Sequence, residues 1–523
     1  MCSTHRIRRR TTLSVVVTLC LIGTGLQWLD PRAGAIEVWM LDGPAEPVLG
    51  GRPGGSGEEP FAVAALAAAG VIPPYRDMGG AWTEQGGFTQ DDPDSPSFFG
   101  YAFDFDGDFA IVGAHMSSGV APNAGAAYIY QRDRAGQWNL YQTLTAPDAA
   151  ANDHFGVAVA IDGGVAAVGA YKADGVGAVY CYVLNRKGQW ILRQKLQAPR
   201  LDLGDNFGIT VALDGAYLVV GADGDDEAED DAGAVYVFRG RGRYPRNGRK
   251  LIPHDVSYSD QVGLAVAIDG DWIAVGAERE GSDQGAVYMY KRRGARWLQY
   301  TKLTSIDRDA GDLFGCSVSL RDGRLLVGAR GDDAPERLNA GAAYTYRLTG
   351  AIWVWESWFR STEPMTDGLF GTSVALKDDL AIVGAPGESV HGDPNSRTGA
   401  AYLFHRPGGQ WADLARIAAS DGRHDDYFGV ATAFDATTPV VGAPKWDPLA
   451  EQDLGALYFF SRCPPADLNG DCIVNFLDLA VLAGQWSGPP ANPKADFSPF
   501  DVPGRVDYFE LAGLADLWLQ DGN

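Results

Sequence analysis

The sequence predicts an all-β fold, a closed seven-bladed β-propeller of four-stranded antiparallel blades, and three observations lead to it. First, an aromatic-glycine pair, a short apolar run ending in Gly-Ala, and G-A-x-Y return seven times at nearly even spacing. The pairs are Phe99-Gly100, Phe155-Gly156, Phe207-Gly208, Val262-Gly263, Phe314-Gly315, Phe370-Gly371 and Phe428-Gly429. A self-similar period of this size marks an array in which each unit buries its apolar face on the next. Second, a Trp stands at one fixed distance before the pair in six copies, at Trp82, Trp138, Trp190, Trp297, Trp353 and Trp411, with Pro245 in the remaining place. Third, the segment at Trp82 precedes the first complete repeat, whereas the last repeat stops after its third strand at Tyr458-Phe459-Phe460. The outer strand missing from the seventh blade is therefore available at the N-terminal side, and closing the ring removes the need for the polar caps of an open solenoid. Tandem β-sandwiches of about 100 residues each fit neither the period nor this offset.

Taken from the start, Arg6, Arg8, Arg9 and Arg10 precede an apolar stretch at 13–26, and Arg32-Ala33-Gly34-Ala35 offers small residues for cleavage. Residues 1–35 read as a secretory signal peptide, and no membrane span is expected after its removal. Residues 36–80, with Gly50-Gly51-Arg52-Pro53-Gly54-Gly55, read as a flexible leader. The propeller is expected over 81–462. In its second copy the strands are expected at 157–161, 165–168, 178–183 and 190–196, separated by Asp-Gly and by Gly-rich acidic loops. The second strand is apolar almost throughout, as in Leu218-Val219-Val220-Gly221-Ala222, which suits a strand covered on both faces. Its closing Gly-Ala leaves no bulk, so that backbones of adjacent sheets can approach.

A net charge of -24 disfavours nucleic acid and anionic membranes as partners and makes divalent cations natural ones. Catalytic signals are missing: there is no H-E-x-x-H, G-x-S-x-G or G-x-x-x-x-G-K-[ST], and the seven His do not cluster in sequence. Asp104-Phe105-Asp106-Gly107-Asp108 and Asp269-Gly270-Asp271 read as hairpin turns. The longer loop with Asp223, Asp225 and Asp226 is a candidate Ca²⁺ site, against the alternative of a solvated acidic loop. Arg330-Gly331-Asp332 is a chance tripeptide in a chain this rich in its components. Cys181 and Cys316, in strands of different blades, are expected to be buried and free.

Beyond the array, Asp467, Asn469, Asp471, Asn475 and Asp478 occupy positions 1, 3, 5, 9 and 12 of a loop, the ligand spacing of an EF-hand Ca²⁺ site, with the carbonyl of Ile473 at position 7. Cys472 stands where such loops want Gly. A helix follows, and further along Val506-Asp507-Tyr508-Phe509-Glu510-Leu511 repeats Val474-Asn475-Phe476-Leu477-Asp478-Leu479. Asp496, Ser498, Asp507 and Glu510 form a second, poorer candidate set, since the first two lie three residues too far away and Pro499 and Pro503 intervene. Cys463 and Cys472 could close a ten-residue disulfide loop, for about 2.7 kcal/mol on the chain-entropy model.

FGVAVAIDGGVAAVGA at 155–170 and VGLAVAIDGDWIAVGA at 262–277, each followed by G-A-V-Y, resemble FG-GAP repeats, which also build the propeller of integrin α subunits. The resemblance implies a secreted ligand-binding or adhesive scaffold and no reaction. The tandem loop-helix units at 464–520 resemble a type I dockerin, a small α-helical module. That implies Ca²⁺-dependent docking to a cohesin-like partner, with Phe476, Leu477, Tyr508 and Phe509 at the contact positions. The favoured reading is a secreted, non-catalytic binding or adhesion protein. The alternatives are a hydrolase-associated protein of polysaccharide degradation and a structural cell-surface component.

Overall fold

Four-stranded antiparallel sheets, seven in all, account for nearly all the regular structure among the described residues of this computed structural model: 82–89, 96–244, 248–389, 396–446 and 453–462. The signal peptide, the leader, Pro245, Cys463 and Cys472, and both candidate Ca²⁺ loops of the C-terminal module lie outside them. Blade 1 runs Ala102–Asp106, Phe109–Ala114, Ala126–Arg132 and Trp138–Leu144 from the axis outward, and blades 2 to 6 repeat this order. Blade 7 has Ala431–Asp435, Thr438–Ala443 and Ala456–Arg462, and Trp82–Thr89 pairs as its outer strand. The two ends of the array thus meet in one sheet, as the position of Trp82 requires. First strands of successive blades touch one another, and the contact of Ala102–Asp106 with Ala431–Asp435 completes the circle.

Burial follows the sequence pattern. The second strand of blade 2, Val165–Ala170, is buried at every residue. Trp190, Trp297 and Trp353 are buried in outer strands, where they pack rather than present a surface. The first strand of blade 2 starts at Val159 instead of 157, because the Val157 amide turns back to the His154 carbonyl at 3.2 Å before the ladder begins. Cys181 and Cys316 are free. Cys181 is buried as expected, but Cys316 is only half-buried, because the residue after the aromatic-glycine pair sits by the axis, near Arg330 and Glu278, instead of between sheets.

Blade-to-blade contact is made by backbone. The Phe155 amide donates to the Ala124 carbonyl of the preceding blade at 2.9 Å, and an equivalent bond stands at every junction, ending with Phe99 to Leu454 at 3.1 Å between blades 1 and 7. Each Phe of the pair is fully buried and meets the Tyr of G-A-x-Y edge-on or tilted, as Phe155 meets Tyr180 at a centroid distance of 5.3 Å. A Cβ on Gly384 would lie 1.9 Å from the carbonyl oxygen of Gly429, and one on Gly442 would lie 2.2 Å from that of Gly100. No side chain fits there, so Gly384→Ala is expected to cost about 3 kcal/mol in denaturant unfolding. Gly119→Ala, whose Cβ would meet only the Ser117 hydroxyl at 4.0 Å, should stay within about 0.5 kcal/mol.

Candidate functional site

The axial channel has two mouths, and the sequence builds them differently. At the hairpin end the last residues of the seven first strands line a cavity of about 500 Å³: Asp106, Asp162, Asp214, Asp269, Arg321, Lys377 and Asp435. Four of these carboxylates are stitches between blades. Asp106, Asp162, Asp214 and Asp269 each accept the turn amide of the next blade, from Gly163, Gly215, Gly270 and Asp322, at 2.8, 2.6, 2.7 and 2.9 Å. Asp435 is held by Arg132 at 3.0 Å. Deeper in the wall, Asp104 accepts from Ile161 and Phe105, and burial pushes its carboxyl up to about 7.

At the opposite, loop end, the residue after each Gly-Ala is His115, Tyr171, Asp223, Glu278 and Arg330 in blades 1 to 5 and Pro386 and Pro444 in blades 6 and 7. In blades 1 to 5 these side chains and their neighbours form a rim of linked contacts. Tyr101 meets His115 at a centroid distance of 4.5 Å, His115 meets His154 at 5.8 Å, and His154 stacks on Tyr171 at 5.3 Å. Lys172 lies over the Tyr171 ring and donates to Asn206 at 2.8 Å, and Asn206 donates to Asp223 at 2.9 Å. Arg330 pairs with Glu278 at 2.9 Å and also bears on Tyr101, although their blades are not neighbours, which places both groups by the axis. Burial pushes His115 down to about 4, with His154 adding to the effect, and burial also lowers His154. Both rings are therefore neutral at pH 7. The rim offers an arc of flat, uncharged rings on blades 1 and 2 facing an arc of Asp223, Glu278 and Arg330 on blades 3 to 5.

A second motif recurs around the outside of the loop end. The buried Tyr of G-A-x-Y donates its hydroxyl to a carboxylate that is also held by a cation from the outer strand. The sets are Tyr180, Asp148 and Lys195; Tyr236, Asp225 and Lys250; Tyr344, Asp332 and Arg360; and Tyr402, Glu388 and Arg416. Burial raises each of these phenols first, and the adjoining carboxylate raises it further. The candidate cation loop is built into this system: Asp225 is held by Lys250 and Tyr236, Asp223 by Asn206, and Asp226 accepts the Asp231 amide at 2.6 Å. The three carboxylates face three different protein donors. Asp332 of the Arg-Gly-Asp tripeptide is buried between Arg360 and Tyr344, so the tripeptide is not displayed.

Sequence reading missed the Asp two residues before the aromatic-glycine pair, at Asp153, Asp205, Asp260, Asp312 and Asp426, although its recurrence was the available signal. All five are buried and accept the amide three residues earlier, at 2.6 to 3.0 Å, which folds the loop entering blades 2, 3, 4, 5 and 7. Among the described residues the one group of three acids with ligand atoms within 4.8 Å of one another is Asp307, Asp312 and Asp332. Arg360 and Tyr344 already occupy Asp332. Burial pushes Asp312 up to about 7, with Asp332 and Asp307 adding to it.

The FG-GAP repeat model matches the chain at residues 82–130, 138–182, 190–238, 246–290, 297–346, 361–404 and 411–460. The chain belongs to the FG-GAP repeat family. Among curated proteins, none matches it. In this FG-GAP propeller the hairpin before the Gly-Ala strand is a two-residue turn, as at Gly107-Asp108 between Ala102–Asp106 and Phe109–Ala114. Such a turn is too short to wrap a cation that takes six to eight oxygens.

Two outcomes follow from the buried acids. Arg416→Ala strands the fully buried Glu388 and is expected to cost about 3 kcal/mol in denaturant unfolding. Lys195→Ala, whose partners Asp148 and Asp174 are about half exposed, should cost about 1 kcal/mol or less. Asp312 binds its proton more tightly folded than unfolded, so its contribution is complete below pH about 4 and is lost as pH rises through about 7. Asp312→Asn should therefore match the parent in thermal melts at pH 4 and exceed it progressively toward pH 8.

Proposed function

We propose that this FG-GAP protein is a secreted, non-catalytic binding protein that takes its ligand on the loop-end rim and docks through a Ca²⁺-loaded C-terminal module. One observation carries the binding reading: the backbone repeats sevenfold, yet in blades 1 to 5 the side chains after Gly-Ala are of different chemical kinds, and contacts link those of blades 1 to 3 and of blades 4 and 5. A residue needed only for the fold would repeat with the fold, as the buried Phe and the inter-blade Gly do. The described carboxylates that lie near one another are engaged with Tyr, Lys, Arg or backbone amides, which favours scaffolding over acid-base chemistry. Secretion is supported by the basic-apolar N-terminal stretch, and cation-dependent docking by the spacing of Asp467, Asn469, Asp471, Asn475 and Asp478.

Calorimetry of the full chain with Ca²⁺ is expected to show uptake that Asp467→Ala and Asp478→Ala each weaken, and unchanged uptake in both would remove the cation assignment. On arrays of polysaccharides and extracellular proteins, Tyr101→Ala combined with Tyr171→Ala should abolish whatever the parent retains while the melting temperature holds. Turnover of a glycan or ester that a single carboxylate change abolishes would overturn the non-catalytic reading.

A further inference from the structure

Away from the axis, the loops of blades 5, 6 and 7 enclose a cleft of about 520 Å³ whose walls include Arg337, Met365, Asp367, Arg397, His424 and Asp425. Arg397 is out of place by the rules of the fold. It stands two residues before the Gly of G-A-x-Y, where the other six blades have Asn123, Gly175, Asp231, Asp283, Asn339 and Asp453. All seven backbones there are left-handed, with φ between 44° and 75°, and Arg397 has φ 44°. Asn, Asp and Gly enter that region at small cost, whereas Arg does not. A side chain kept at a strained position where the fold itself selects others points to a use for that side chain.

Charge accounting says what the use is. Asp367 accepts from Asn339 at 2.8 Å, and Asp425 lies 2.8 Å from its neighbour His424. Arg397 donates to the Tyr427 hydroxyl at 3.1 Å, and Arg337 donates to the Glu336 carbonyl at 3.4 Å. Among the described residues neither guanidinium forms an ion pair, whereas Arg330, Arg360 and Arg416 at the same end are each bound to a carboxylate. What sets these two apart is their place: both line one cleft, with Asp367 and Asp425 near Arg397 but forming no ion pair with it among the described residues. Guanidinium presents a planar fork of donors matched to oxyanions, and Pro364 and Met365 supply an apolar wall for the carbon frame that bears one.

We infer that this cleft binds the oxyanion group, carboxylate or sulfate, of an extended acidic ligand, with Arg397 and Arg337 as its two grips. The site is separate from the axial rim and stands or falls independently of it. The test is calorimetry on the full chain with an oligogalacturonate, a sulfated oligosaccharide and inorganic sulfate, at low and high salt. Binding of at least one oligosaccharide is expected, weakened by salt, and weakened about tenfold or more by Arg337→Ala and by Arg397→Asn. The carboxylate and sulfate arms decide which oxyanion is preferred. Arg397→Asn restores a residue suited to the left-handed backbone, so its melting temperature should hold or rise, which separates lost binding from lost folding. Failure of all three anions to bind, equal binding of an uncharged oligosaccharide, or binding untouched by both variants would overturn the proposal. A drop in the melting temperature of Arg397→Asn would overturn the strain argument on which it stands.

Discussion

Everything in this molecule depends on the distance at which one blade's backbone meets the next. The carbonyl after each buried Phe comes so close to the Gly of the neighbouring Gly-Ala that a single Cβ between them has no room. To deliver the chain to that contact, the residue before each aromatic-glycine pair takes a left-handed conformation, from Phe98 to Tyr427, with φ between 53° and 58° in all seven copies. Bulky residues accept this strain because a buried Phe and an inter-blade amide bond on either side over-determine it. Once the spacing is set, all blades are forced into one register, and loops leave the sheets at equivalent points. Chemical variety is thereby confined to side chains at those points, which is why the rim can change from imidazole to carboxylate to guanidinium without disturbing the ring.

Among the described residues, many carboxylates are engaged by this architecture. Carboxylates hold turn amides across blades at the hairpin end, fold the loop entering most blades, and anchor buried Tyr hydroxyls at the loop end. Each task removes an oxygen from the pool available to a ligand. Where acids crowd, as at Asp307, Asp312 and Asp332, compensation comes from Arg360 and from a carboxyl that resists ionisation, so crowding alone does not amount to a cation site. Deep burial of this kind sets the interior acids against rising pH, while solvated pairs such as Asp148 with Lys195 shift the opposite way and contribute little.

The ring was legible in the sequence because its determinants recur: the offset of Trp82, the Phe-Gly pairs and Gly-Ala repeat at a nearly fixed period, and the structure places Trp82–Thr89 in blade 7 accordingly. Strand starts were less legible, since Val157 is apolar and β-branched but is spent on a turn. The rim was not legible at all. His115 and His154 belong to different repeats, and only the circular stacking of blades brings their rings together. Asp153 and its four counterparts recur as plainly as the Phe does, but Asp beside a turn is so common that the recurrence did not stand out. The Asp223 loop reads in sequence as seven carboxylates in nine residues, and only the structure shows that Lys250 and Tyr236 engage Asp225 and that Asn206 engages Asp223.

A repeat protein therefore carries two kinds of information in one string. Positions identical in all copies record what the fold demands, and a buried, positive-φ or contact-limited position is explained once that demand is known. Departures from the repeat have no such explanation, and their physical cost measures how far the fold alone would favour another residue there. Val262 for Phe is a nearly free departure, since it stays apolar and fully buried. Arg397 for Asn or Asp is not free, because it adds backbone strain. Tyr101, exposed at the mouth beside a buried His115, likewise leaves an aromatic side chain in water where other blades place Val157, Ile209 or Leu264 against their surroundings. Ranking departures by that cost, rather than by how chemically suggestive a residue looks, directs attention away from the acid-rich loops and toward the rim and the arginine cleft.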